Sequence, residues 1–103
     1  MIQVRNICTV KYGSFREFVH AADELMEICR QRGWAPGTLL SPLAGANNEV
    51  VWQFDYPDLT TMQQETTAAQ TDPEFMKIFR AAGELVYPES ARTEILESAP
   101  HIA

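Results

Sequence analysis

The chain has 103 residues, 46% of them apolar, which sets the expectation of one domain around one core. Its net charge is −6 and its eight Lys and Arg are scattered singly, whereas nucleic-acid binders carry basic stripes that release counterions from phosphate. Nucleic acid and anionic membrane surfaces are therefore not expected as partners. No apolar run is long enough to span a bilayer. The opening MIQVRN lacks the apolar stretch of a secretory signal, so a cytoplasmic location is expected, with Cys8 and Cys29 as free thiols packed like small hydrophobes.

In chain order, residues 2–12 alternate: Ile2, Val4, Cys8, Val10 and Tyr12 share one parity, interrupted by Asn6, and Gln3, Arg5, Thr9 and Lys11 share the other, interrupted by Ile7. That period of two predicts a strand with one apolar face, ended by Gly13. Ser14 and Glu17 have capping-box spacing. The apolar positions Phe15, Phe18, Val19, Ala22, Leu25, Met26 and Cys29 then form a continuous helical stripe. Arg30 and Arg32 suit the negative end of the helix dipole, and Gly33 supplies a left-handed stop.

Residues 34–37 connect to a short strand over 38–44, which Pro42 places at a sheet edge. A turn over 45–48 leads to a strand over 49–56, with Val50, Trp52, Phe54 and Tyr56 on one face. After Pro57, Asp58 caps a helix over 58–82 in two segments. The break falls near Thr71, where Asp72-Pro73-Glu74 restarts it with Asp at the cap and Pro at the first helical position. The weak stripe Leu59, Met62, Thr66, Ala69 belongs to the first segment, and Phe75, Ile78, Phe79, Ala82 to the second. Gly83 closes the helix, 84–90 is a loop, and 91–97 is the last strand. Residues 1–98 are expected to form the domain and 99–103 a tail.

The order βαββαβ is the α+β, ferredoxin-like pattern: a four-stranded antiparallel sheet with the helices on one face. The other face, with Ile7, Val51 and Ile95 among Gln3, Arg5, Thr9 and Gln53, is too apolar to stay wet and too polar for an ordinary core. Two copies packed through it would close a barrel with helices outside, so a homodimer is expected.

The segment I-Q-V-R-N-x-C-T-V-K-Y-G-x-F resembles the opening of the NIPSNAP-like proteins, a branch of the dimeric α/β-barrel superfamily. Val4-Arg5 stands at that family's Leu-Arg pair. Lys11-Tyr12-Gly13 stands at its Lys-Pro-Gly turn, with Tyr12 in place of Pro. Thr71-Asp72-Pro73-Glu74-Phe75 resembles its break in the second helix. The resemblance implies the dimeric barrel, on which unrelated functions are built.

The candidate site follows from Asn6, an amide on the apolar parity of its strand, and Trp52, on the corresponding face of its own. An unpaired buried amide costs about 1–3 kcal/mol, so Asn6 either bonds a neighbour within the core or serves a ligand between sheet and second helix. In the ligand reading Trp52, Phe54, Met62, Phe75 and Phe79 are apolar walls, and the ligand is small and apolar or aromatic. In the other reading the same groups, with Met76, are core.

Small antibiotic-tailoring and haem-degrading monooxygenases share the barrel, and Asn6 is similar in position to an Asn some of them carry. Ala69 and Phe79 stand where the haem-degrading members need a Trp and a His, and no His lies between Asp58 and Pro100. Cys8, Cys29, His20 and His101 share no metal-type spacing, so neither cofactor nor metal is expected. His20 is expected on the helix surface. Arg5 is expected to pair with Glu49, Asp55 or Glu94, the alternative being an anionic ligand. Three readings stay open: a small-molecule binder, a cofactor-independent monooxygenase or isomerase of small aromatic or polyketide-like substrates, and an interaction module.

Overall fold

The computed structural model describes residues 1–45 and 47–99. Most of the expected tail, and Ala46 of the expected turn, lie outside the described residues. The elements run β1 (Ile2–Thr9), α1 (Phe15–Arg32), β2 (Thr38–Leu40), β3 (Glu49–Tyr56), α2 (Leu59–Gln70), α3 (Pro73–Gly83), a 3-10 turn (Pro88–Ser90) and β4 (Arg92–Glu97). The strands form one sheet in the order β2-β3-β1-β4, each neighbour antiparallel. This is the ferredoxin-like α+β arrangement, with the second helix split in two. No helix among the described residues is long and apolar enough to cross a membrane.

Register decides which side chains meet. β1 pairs with β3 from Ile2 opposite Tyr56 to Thr9 opposite Glu49, which places Ile2, Val4, Asn6 and Cys8 beside Tyr56, Phe54, Trp52 and Val50. Side chains directly opposite share a face. Met62 of α2 packs on the cluster of Ile2, Val4, Phe54 and Tyr56. Trp52 packs on the cluster that α1 and α3 build from Leu25, Ile28, Cys29 and Phe75. All three helices therefore cover one face.

α1 is the anchor of that layer. Ala22, Leu25, Met26, Ile28 and Cys29 are buried, while Phe15, Phe18 and Val19 of the same stripe are half-buried. Gly33 stops the helix at φ +76°, with its own N–H and that of Trp34 returning to the carbonyls of Arg30 and Cys29. Asp58 and Asp72 cap α2 and α3 by accepting the N–H groups of Thr61 and Phe75. Arg32, at the end of α1, clamps Asp72 and Glu74 at 2.9 and 3.2 Å.

Several expectations are corrected. The first strand ends at Thr9 rather than residue 12: Val10 makes one isolated bridge to Val86, and Tyr12 is 92% exposed. The chain turns there, with Ser14 N–H on the Lys11 carbonyl, so the alternation outruns the sheet. Ser14 makes no side-chain cap because its ψ of 7° is not the extended conformation a cap needs. The second strand is Thr38–Leu40, and Pro42 lies beyond it. The loop over 84–90 contains the 3-10 turn, whose Ser90 hydroxyl accepts the Thr9 N–H at 2.8 Å. Ile95 is not on the uncovered face. It stands opposite Val4, on the helix side, and Leu96 and Leu40 join Ile7 and Val51 on the other.

Candidate functional site

The row that crosses the sheet at its middle on the helix side is Leu39, Trp52, Asn6, Thr93. Trp52 is half-buried, and its indole N–H donates to the Pro36 carbonyl at 3.0 Å. Its ring lies 4.7 Å from that of Phe54, which stacks at 6.0 Å on Tyr56. Two residues outside the expected site seat these rings. Gly37, at φ +74°, passes so close that a Cβ would stand 2.6 Å from Trp52 Nε1 and 2.9 Å from both the Gln53 carbonyl oxygen and a Phe54 ring carbon. Glu65 of α2 accepts the Ala35 N–H and ties the connector to the helix.

Asn6 is half-buried and directly opposite Trp52. Its amide oxygen accepts the Thr93 hydroxyl at 3.0 Å. The amide NH2 finds no acceptor among the described residues. No buried side-chain nitrogen or oxygen there lacks a partner, so this NH2 lies within reach of solvent. Ile95, two residues along β4 on the same side, is 55% exposed because β4 is an edge strand the helices do not cover.

The structure brings Trp52, Phe54 and Met62 together in one cluster and packs Trp52 also against that of Phe75. Phe75 is buried and meets Trp34 edge-on at 6.3 Å. Phe79 stacks on Phe75 at 5.9 Å but is 47% exposed. Two open surface hollows lie elsewhere. One, of about 260 Å³, is lined by Phe15, Ser41, Pro42, Asn47 and Asn48. The other, of about 250 Å³, is a groove between α1 and α3 floored by Ala21, Ile78, Ala81, Ala82 and Leu85. None of the six expected site residues lines either.

Three groups on the covered side of the sheet, Cys8, Cys29 and Tyr56, are held neutral. Burial, reinforced by Glu65, pushes the Cys29 thiol up to about 11 and the Tyr56 phenol up to about 12. Burial also raises the Cys8 thiol, with Glu49 adding to it. Both cysteines are free, Cys29 buried and Cys8 half-buried. Protonated thiols are poor nucleophiles and poor ligands. No group of three or more metal-ligating side chains gathers among the described residues. His20 is exposed on α1 and pairs with Glu24 at 3.0 Å, a partner the sequence reading did not find. The break before α3 offers no open anion site, because Asp72 occupies its first N–H groups and Arg32 holds Asp72. What the row provides is an amide, its NH2 unengaged among the described residues, between the Trp52 ring and the Thr93 hydroxyl.

On the uncovered face Arg5 pairs with Glu94 at 4.0 Å, the structural role expected of it. Arg92 reaches Glu94 at 3.9 Å and, across β1, Glu49 at 3.7 Å. These charges neutralise one another around Ile7, which is buried.

No family model matches the chain, and no curated protein does. Solved structures do. A NIPSNAP domain protein from Burkholderia xenovorans superimposes with TM-score 0.81 at 17% identity, over 100% of this chain and 99% of that one. A NIPSNAP family protein from Agrobacterium tumefaciens gives 0.79 at 16%, over 95% and 92%. An antibiotic biosynthesis monooxygenase gives 0.76 at 14%, over 97% and 100%. The chain thus shares its fold, end to end, with NIPSNAP domain proteins and with antibiotic biosynthesis monooxygenases.

Proposed function

We propose that this protein is a homodimer that binds a small apolar or aromatic molecule on the helix side of its sheet, at Asn6 and Trp52, with residues 1–98 as the working domain. One observation carries the ligand reading. A half-buried amide stands beside Trp52 and opposite Thr93 with its NH2 unengaged among the described residues, the sparse polar group next to an apolar wall that ligand sites use. Phe54 and Met62 support the wall, and Phe75 and Phe79 extend it along α3.

The dimer reading is supported by the uncovered face. Leu40, beside Val51 and Ile7, and Leu96, opposite Gln3, are 43% and 41% exposed there. Copies that each carry a charge of −6 repel one another. The Arg5, Glu94, Arg92, Glu49 network leaves this face close to neutral, so it is the place where repulsion is least. Two such faces packed about a two-fold axis would close a barrel with the helices outside.

Native mass spectrometry of the purified protein tests both halves. The expected species is two chains carrying non-covalently bound compound, lost or reduced in Trp52→Ala. Retention of that compound by Trp52→Ala at the wild-type level overturns the assigned site. A second reading, a cofactor-independent oxygenase or isomerase on the same ligand, is favoured by the likeness to an antibiotic biosynthesis monooxygenase. Recovery of the compound unchanged after aerobic incubation rejects it.

A further inference from the structure

We propose that α2 is a lid that lifts and closes as a unit, hinged at Asp58 and at Thr71-Asp72 and latched by Glu65, while α3 stays seated on the core. The device goes beyond the ligand reading and needs no bound molecule. Its origin is in the sequence. Leu59–Gln70 carries Thr60, Thr61, Thr66 and Thr67, β-branched residues that lose side-chain freedom in a helix, and it buries no residue. Pro73–Gly83 buries Phe75 and Ala82.

The backbone ladder is interrupted between the two segments. The N–H groups of Thr71 and Asp72 return to Thr67, Ala68 and Ala69. Pro73 has no N–H to return, and the Met76 N–H reaches back only as far as Asp72. Arg32 ties the far side of the break to α1, holding Asp72 and Glu74 at 2.9 and 3.2 Å. Burial and Arg32 therefore fix α3, and neither constraint reaches α2. At the other end, the extended backbone of Asp58 (φ −157°, ψ 170°) separates α2 from β3. Among the described residues, one hydrogen bond joins α2 to the fold beyond its own ends, the Ala35 N–H on Glu65. Its apolar holds are the half-buried Met62, on the cluster of Phe54 and Tyr56, and Ala69, on the cluster of Cys29 and Phe75. Lifting α2 uncovers both places.

The buried Cys29 reports on the lid, because Ala69 packs on its cluster and the Glu65 charge helps to keep the thiol protonated. Iodoacetamide labelling of the native protein is read peptide by peptide, so that Cys8 is counted separately, and is followed with amide exchange in increasing urea. Wild-type Cys29 is expected to label through an opening that scarcely depends on low urea, alongside exchange of the Leu59–Gln70 amides. Glu65→Ala should speed that labelling about 5- to 100-fold, the worth of one lost buried hydrogen bond. Glu65→Gln removes the same charge from beside the thiol but keeps an acceptor oxygen for Ala35, and should speed it far less. Arg32→Met should extend the opening into the first turn of α3. Labelling of Cys29 only with the full urea dependence of global unfolding overturns the lid. Equal labelling of Glu65→Ala and Glu65→Gln overturns the latch, and α3 amides that open together with those of α2 in the wild type overturn the hinge.

Discussion

The two helical connections on the covered face are held in different ways. α1 buries five residues: Ala22, Leu25, Met26, Ile28 and Cys29. α2 buries none, and touches the core through the half-buried Met62 and Ala69. What holds α2 in place is polar and peripheral: the Asp58 cap at one end and Glu65 on the Ala35 N–H. A layer fixed by buried apolar area resists opening, and one fixed by a few half-exposed hydrogen bonds opens locally at low cost. The weakly held helix is the one lying over Trp52 and Phe54. Of the covering helices, α2 is therefore the wall over Trp52 and Phe54 that gives most readily.

Substitutions should separate the two regions. Leu25→Ala, in the anchored helix, is expected to lose about 2–5 kcal/mol in chemical denaturation. Gly37→Ala should lose about 1–3 kcal/mol from its left-handed backbone alone. The clash of its new Cβ with Trp52 and Phe54 adds to that and should shift the Trp52 fluorescence. Glu65→Ala leaves the Ala35 N–H without its acceptor, for about 1–3 kcal/mol, and should loosen α2 before anything else. Leu59→Ala, at a 51% exposed site on α2, should stay within about 0.5 kcal/mol. A loss there as large as that for Leu25→Ala would erase the distinction between the helices.

Acid sharpens the same contrast, because both caps of the second connection are carboxylates. The Phe75 N–H and Arg32 hold Asp72 below its ordinary value of 3.8, and the Thr61 N–H does the same for Asp58. A carboxyl depressed in the folded state contributes stability that is complete above its unfolded value and is lost as pH falls through the folded one. Stability should therefore decline below pH 3.8, and Asp72→Asn should flatten that decline.

Sequence periodicity found what is local. The stripe of α1, the Gly33 stop and the Asp58 and Asp72 caps depend on residues a few positions apart, and each stands where expected. What depends on register was out of reach. Alternation alone could not show that Tyr12 leaves the sheet or that Ile95 faces the helices, because both are decided by pairing with strands far along the chain. Parity placed Asn6 and Trp52 on one face, and only the β1–β3 register made them neighbours. Gly37, Glu65 and Thr93 carry no pattern that distinguishes them in sequence. Each matters through contacts 15 to 87 positions away.

Amide hydrogen exchange read helix by helix tests the central claim, that the wall over the Trp52 row is held loosely while α1 is fixed. The account predicts that the Leu59–Gln70 amides exchange through local opening, well before those at the centre of Phe15–Arg32, which wait for global unfolding. It also predicts that a bound ligand slows the former. Equal protection in the two helices, unchanged by ligand, would contradict it.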